Sequence, residues 1–220
     1  MGDYQYIARK AIAVLFILVF MNSLFLIFSP EVYIIPQTLV PIAFLSAILG
    51  IDISIRTVSS KQDRYTSKIK GLAFLSLPLV ITLPYYEWQY LTSIHLSGLA
   101  GVILPVGVIV LMMGSIILIA ARVQIGRYGG SKITIEDDHQ LVTHGLYGTI
   151  RNPQYLGLLL IFFGYSLSFI SFIVTLITVT GLFLIFRSRM ELEERILIET
   201  FGEKYAEYLR RTSRLIPHVY

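Results

Sequence analysis

The residues of this chain that could do chemistry lie in two polar stretches of its second half, one from Gln124 to Pro153 and one starting at Arg187. In the second stretch, Arg189 and Glu193 stand four apart, which puts them on one helical face together with Leu197. A guanidinium can hold a carboxylate through two parallel hydrogen bonds. A glutamate on the same face can instead take the proton from an amine. In the first stretch, Tyr147 and Tyr155 bring aromatic faces and hydroxyls. The chain has no cysteine, so disulfides, thiolate metal sites and cysteine nucleophiles are excluded. His139 and His144 lie five apart in a loop-like stretch without further ligands, and no metal site is expected. Plainer roles exist for several of these residues. Arg187 and Arg189 can be the positive flank of a last span, Glu191 and Arg195 an i,i+4 pair, and Glu194 a solvated face. Tyr147 can be an interfacial anchor, and Asn152-Pro153 a helix start.

The elements that must carry these residues are apolar. Of 220 residues, 55% are hydrophobic and 15% charged, with a mean hydropathy of +0.71. A soluble domain carries about a quarter of its residues as Asp, Glu, Lys and Arg. The composition excludes a soluble enzyme, a disordered chain and a fibrous protein, and points to a polytopic α-helical membrane protein. Apolar blocks run over Ala11 to Phe28, Pro36 to Ile55, Gly71 to Pro84, and Leu96 to Ala120. The first lacks the short apolar core and small-residue cleavage site of a signal peptide, and reads as a retained span. Asp52 sits near the end of its block, within reach of the interface, and Tyr85 to Tyr90 reads as an aromatic belt. The run from Tyr155 to Phe186 is 32 residues long. One straight helix of that length would measure ~48 Å against a hydrocarbon core of ~30 Å. A helical hairpin turning near Ser168 to Ser171 is expected instead, with its ends extended into the flanking polar segments.

All 18 Lys and Arg fall in four segments: residues 9–10, 56–70, 121–153 and 187–220. The loops near Pro30 to Ile35, near Tyr85 to His95 and near Ser168 contain none. Six spans with both termini inside place every basic residue on one side of the membrane. The fold expected is therefore all-α: a transmembrane helical bundle of about six spans, with a cytoplasmic C-terminal helix and a cytoplasmic pocket. Residues 1–95 would form N-terminal transmembrane helices, as an anchor or a lipid or dimer surface. Residues 96–220 would form the catalytic core. Topology accounts for the basic residues, so no nucleic-acid partner is expected.

The run His139-Gln140-Leu141-Val142-Thr143-His144-Gly145-Leu146-Tyr147, followed by Arg151-Asn152-Pro153-Gln154-Tyr155-Leu156-Gly157, resembles the signature of the isoprenylcysteine carboxyl methyltransferases and related phospholipid methyltransferases. That signature reads approximately H-x-L-V-T-x-G-x-Y, three residues, then R-H-P-x-Y-x-G. Arg189, Glu193-Glu194, Leu197, Phe201-Gly202, Tyr205 and Tyr208 resemble the family's R-x-x-x-E-E-x-x-L-x-x-x-F-G-x-x-Y-x-x-Y ending. The resemblance covers roughly residues 100 to 220. It implies S-adenosylmethionine as methyl donor, S-adenosylhomocysteine as product, and a lipid-linked acceptor entering from the bilayer. The donor-binding set it implies is His139, Gln140, Leu141, Val142, Tyr147, Asn152, Pro153, Gln154 and Tyr155. The acceptor set it implies, with the catalytic roles, is Arg189 and Glu193. One departure is plain: the family's R-H-P is Arg151-Asn152-Pro153 here. Asparagine hydrogen-bonds but cannot become cationic.

Methyl transfer is an in-line displacement, so alignment of donor and acceptor does most of the work. The Gly129-Gly130 pair follows no strand pattern, so a pocket would be built from loops and helix ends, with backbone amides around Gly145 and Gln154 meeting adenine edges. The acceptor implied is the carboxylate of a prenylated cysteine, with a phospholipid amine as the alternative. Other readings are an NADPH-dependent reductase of the sterol type, whose C-terminal architecture is similar, and a transporter or scaffold. The spans contain almost no central charges, which argues against transport. The membrane would be the plasma membrane in a prokaryote and the endoplasmic reticulum in a eukaryote. The oligomeric state is open.

Overall fold

The computed structural model describes residues 29–55, 79–92, 97–126 and 141–217, with helical positions 8, 11, 12, 14–16, 19, 20, 22, 23 and 25–27. Arg9, Lys10, the basic loop 56–70, residues 71–78, His95, Gly129-Gly130, His139 and Gln140 lie outside the described residues. Every regular element described is helical, which agrees with the all-α expectation. A 3₁₀ turn, Pro30–Tyr33, leads into α1, Pro36–Ile55. Residues 79–87 are helical and pass into a π-helical turn, Trp88–Thr92. Helix α2 spans Ala100–Ile125, α3 Pro153–Ser168, α4 Phe172–Phe201 and α5 Glu203–Arg211.

Two of these, α2 and α4, are long and apolar enough to cross a membrane, and Thr38–Asp52 within α1 is a shorter apolar stretch. Their outer faces are apolar as well. Val102, Ile109, Ile116 and Val123 recur at seven-residue spacing on α2, each more than half exposed. On α4, Ile173, Leu176, Ile177 and Leu184, which share one helical face, are likewise more than half exposed. Continuous apolar exposure on this scale suits lipid and not water.

In a lipid solvent, helices are held by close packing, not by the hydrophobic effect. The α2–α3 contact shows this most clearly. Gly107 and Gly114 on α2 lie seven apart, as do Gly157 and Gly164 on α3. The helices run antiparallel, and the glycines meet in reciprocal pairs. A Cβ at Gly114 would stand 2.8 Å from the Gly157 carbonyl, and one at Gly157 2.9 Å from the Gly114 carbonyl. Backbone touches backbone along this seam.

The 32-residue apolar run folds as the expected hairpin: α3 ends at Ser168 and α4 starts at Phe172. Ile170 takes a φ of 56° in the turn, a left-handed conformation that a β-branched residue rarely adopts. Its nearly complete burial and the bond from its N–H to the Leu167 carbonyl hold it there. Glu87, buried in the segment before the π-helical turn, closes the start of α4. It accepts hydrogen bonds from the Ile173 N–H at 3.0 Å, the Val174 N–H at 2.7 Å and the Ser171 hydroxyl at 2.5 Å. The carboxylate thus caps orphan donors at the positive end of the helix.

This corrects the aromatic-belt reading in part. Tyr90 is 70% exposed, but Tyr85 is fully buried, edge-on to Phe25 and Phe169. The core around Tyr85 joins α1, α2 and α3 through Leu45, Ile48, Leu111 and Ile161.

Candidate active site

Three hydrogen-bonded clusters converge where α2 ends, α3 begins and the charged half of α4 passes by. The first starts at the chain's entry to α3. Leu141 and Val142 are half-buried, take no regular secondary structure, and lead to a 3₁₀ turn, Gly145–Gly148. Gly145 has a φ of 59°, and the Gln124 side chain packs where a Cβ would be, so glycine is required there. The Gln124 carbonyl oxygen accepts the Leu146 N–H at 2.9 Å. Tyr147 is buried, and its hydroxyl accepts the Gln154 amide at 2.8 Å and donates to the Ala121 carbonyl at 3.4 Å. The Gln154 oxygen accepts from Arg122, whose Nε donates to Asp52 at 2.8 Å.

The second cluster joins the two polar stretches. The Tyr155 hydroxyl donates to Glu193 Oε1 at 2.7 Å, and Arg189 Nε donates to the same oxygen at 2.9 Å. The Tyr155 ring packs on Phe186, with centroids 4.9 Å apart. Arg187, two residues before Arg189, is exposed and paired with Glu191 at 3.1 Å. The positive-flank role therefore fits Arg187, while Arg189 turns inward. Glu191 pairs with Arg187 and not with Arg195, which corrects the expected i,i+4 pair.

The third cluster holds the C-terminal tail. Arg151 Nε donates to Glu194 Oε1 at 3.1 Å, and Arg214 Nη2 to Glu194 Oε2 at 2.6 Å. Arg151 also donates to the Leu209 and Thr212 carbonyls. A parallel bridge, Arg151 N–H to Ser213 at 2.9 Å and Ser213 N–H to Thr149 at 3.0 Å, completes the clasp. Glu194 is buried, so it is not a solvated face. The Asn152 amide donates to the Arg214 carbonyl at 3.0 Å and makes no side-chain cap on α3. Pro153 occupies the first turn of α3, where its missing N–H costs nothing.

Eight of the eleven residues expected at the site are thus brought to these clusters or to the segment that enters them: Tyr147, Asn152, Gln154, Tyr155, Arg189 and Glu193 by direct bonds, Leu141 and Val142 by position. Asn152 and Pro153 shape the start of α3, with Asn152 turned to the tail. His139 and Gln140 fall outside the described residues. Asp52, Arg122, Gln124, Arg151 and Glu194 were not read as site residues. Asp52 in particular is only 3% exposed, buried against Arg122. Its signal was a lone charge of opposite sign to Arg122, each at the end of an apolar block.

Burial pushes the Tyr147 phenol from its ordinary 10.0 up to about 12, with the Gln154 bond and the Arg122 charge pulling back part of that rise. Burial also raises Tyr205 and Tyr208. The folded state therefore holds these protons more tightly than the unfolded chain. The resulting stability is fully present below pH 10 and, for Tyr147, is lost as pH rises to about 12. In an alkaline titration followed by tyrosinate absorbance and helicity, a late tyrosinate fraction should appear together with loss of helix. A single transition at the ordinary tyrosine pKa with helicity intact would contradict the burial.

Comparison with known proteins bears out the family resemblance. Residues 102–204 match the phospholipid methyltransferase family model. A probable protein-S-isoprenylcysteine O-methyltransferase of Oryza sativa subsp. indica is 32% identical over 116 residues, covering 52% of this chain and 61% of the relative. Protein-S-isoprenylcysteine O-methyltransferase A of Arabidopsis thaliana is 32% identical over 115 residues, covering 51% and 58%. The Schizosaccharomyces pombe protein-S-isoprenylcysteine O-methyltransferase is 26% identical over 149 residues, covering 67% and 60%. The chain thus spans 58% to 61% of the length of these curated relatives. Among solved structures, a eukaryotic intramembrane Ras methyltransferase (isoprenylcysteine carboxyl methyltransferase) shares the fold. The TM-score is 0.56 at 18% identity, over 99% of this chain and 90% of that one.

Proposed function

We propose, from the phospholipid methyltransferase pattern that residues 102–204 carry, that this chain is an integral membrane methyltransferase. It transfers the methyl group of S-adenosylmethionine to a lipid-linked acceptor that enters from the bilayer, foremost the carboxylate of a prenylated cysteine. The site lies on the cytoplasmic side of a bundle of about six spans, because every Lys and Arg falls in segments that such a bundle places there. Residues 96–220 form the catalytic core.

The observation that carries this reading is the meeting of Tyr155 with Arg189 and Glu193. One residue of the donor motif and both residues of the acceptor motif share a single carboxylate oxygen, although 38 positions separate Tyr155 from Glu193.

The residues present fit the donor. Leu141 and Val142 give a half-buried apolar edge for a flat base, and Tyr155 gives aromatic surface toward a sulfonium, with the buried Tyr147 behind it holding Gln154. When bound, the sulfonium supplies an activated methyl group. The protein's part is to hold and align. A carboxylate acceptor is already ionised and needs no base. Glu193, engaged by a guanidinium and a phenol, orients Arg189 and Tyr155 instead of removing a proton. A guanidinium has five donors, so Arg189 can grip a second carboxylate while it holds Glu193. This arrangement favours a carboxylate acceptor over a phospholipid amine. Asn152 serves here as a neutral donor to the tail, a role that needs no imidazolium.

The test is calorimetric titration of the detergent-purified chain with S-adenosylhomocysteine, with NADPH as the control ligand. Micromolar binding of the former is expected, weakened roughly tenfold or more by Tyr147→Ala, since a factor of ten is ~1.4 kcal/mol and about one hydrogen bond. Binding of NADPH alone would move the assignment to a reductase.

A further inference from the structure

The N-terminal helices have so far only the role of an anchor. Asp52 on α1 contradicts so small a part. It is 3% exposed and pairs with Arg122, 8% exposed, at 2.8 Å. A charge pair this far from water is costly to bury, and replacement by apolar residues is often neutral or stabilising. Its presence therefore calls for a use beyond holding α1 to α2.

We propose that the Asp52–Arg122 pair positions the donor side of the active site, so that α1 belongs to the catalytic apparatus. The inference rests on the methyltransferase reading above. Its logic is one of hydrogen-bond direction. A guanidinium only donates. Facing Arg122, the Gln154 amide must present its oxygen, which fixes its NH₂ toward Tyr147. The Tyr147 hydroxyl must then accept, and its proton is left for the Ala121 carbonyl. Four residues, from α1 to the 3₁₀ turn, thereby take one orientation out of the two that an amide and a hydroxyl otherwise share. Asp52 sets the first of these, because its carboxylate fixes the plane of the guanidinium through Nε. Gln154 and Tyr147 both belong to the donor motif, so the pair acts through them without itself touching the donor.

A mere tie between helices is separable from this role. The double variant Asp52→Asn with Arg122→Met removes both charges of this pair together, so neither is left facing the other's absence, and the helix contact is expected to survive. Gln154 then loses the partner that dictates its orientation. In the purified full chain, the expected result is a melting temperature close to that of the unaltered protein, with S-adenosylhomocysteine affinity reduced roughly tenfold or more. Unchanged affinity in the double variant overturns the proposal and leaves the methyltransferase reading standing. No binding by the unaltered chain overturns both. Should the double variant melt early, Asp52→Asn with Arg122→Gln decides. It keeps hydrogen-bonding groups in place of both charges, but a glutamine amide accepts as well as donates and so dictates no direction to Gln154. A comparable loss of affinity there supports the positioning role, and unchanged affinity overturns it.

Discussion

Gly164→Leu should leave the chain without a stable α2–α3 pair. A Cβ at this position would stand 2.6 Å from the Gly107 carbonyl and 2.9 Å from the Leu111 Cα. Both are backbone atoms of a regular helix, and neither can turn aside as a side-chain end would. The helices must separate, and separation forfeits contacts along the whole seam. Overpacking a core costs ~1–3 kcal/mol when side chains can adjust, and more when they cannot. A loss of at least ~3 kcal/mol corresponds to a melting temperature lower by roughly 6–12 °C for a chain of this size. Gly101→Leu and Gly181→Leu are the controls, since a Cβ at either meets nothing within 4 Å. Thermal melting in detergent decides the matter. If Gly164→Leu melts with these controls, the helices are not in backbone contact.

Glu194→Ala should release the C-terminal tail. The carboxylate holds Arg151 and Arg214, whose side chains are 11% and 24% exposed. Removing one partner of a buried ion pair costs ~3–5 kcal/mol, because a charge is left without compensation. Arg214 reaches water more readily than Arg151, which places the expected cost toward the lower end. Arg151 would keep its bonds to the Leu209 and Thr212 carbonyls but lose its counter-charge. The expected signature is faster tryptic cleavage after Arg210, Arg211 and Arg214, with the helical hairpin still protected. Glu203→Ala is the control, since its pair with Arg210 is widely exposed, and such pairs contribute little. Equal cleavage rates for the two variants would show that Glu194 does not hold the tail.

Much of this was legible in the sequence, and for clear reasons. A 32-residue apolar run is too long for one span, which located the turn between Ser168 and Ser171. The motif spacing located Tyr155, Arg189 and Glu193, and the fold brings them together. What stayed hidden depends on distance in sequence. Asp52 and Arg122 are 70 positions apart, and Glu87 reaches Ile173 across 86. No local pattern marks such a pair, and a lone charge at the end of an apolar block reads equally well as an interfacial residue. Glu194 was ambiguous for another reason. Beside Glu193 and among arginines it has the look of a solvated helix face, and only the returning tail buries it. The glycines of α2 and α3 were visible as residues, but their pairing required the antiparallel arrangement.

The cap that Glu87 makes on α4 also fixes a length. Ile173 and Arg189 lie on one continuous helix, so about 24 Å of rigid rod separates the capped end from the guanidinium. Sliding α4 along its own axis would break both backbone bonds to Glu87, whereas bending it near its charged end would not. On the proposed reading, the depth at which Arg189 meets an acceptor is gauged from the opposite end of the bundle, like the stop on a calliper. The acceptor headgroup would then have to come to that level, and the length of its apolar tail would decide how much of it is left beneath.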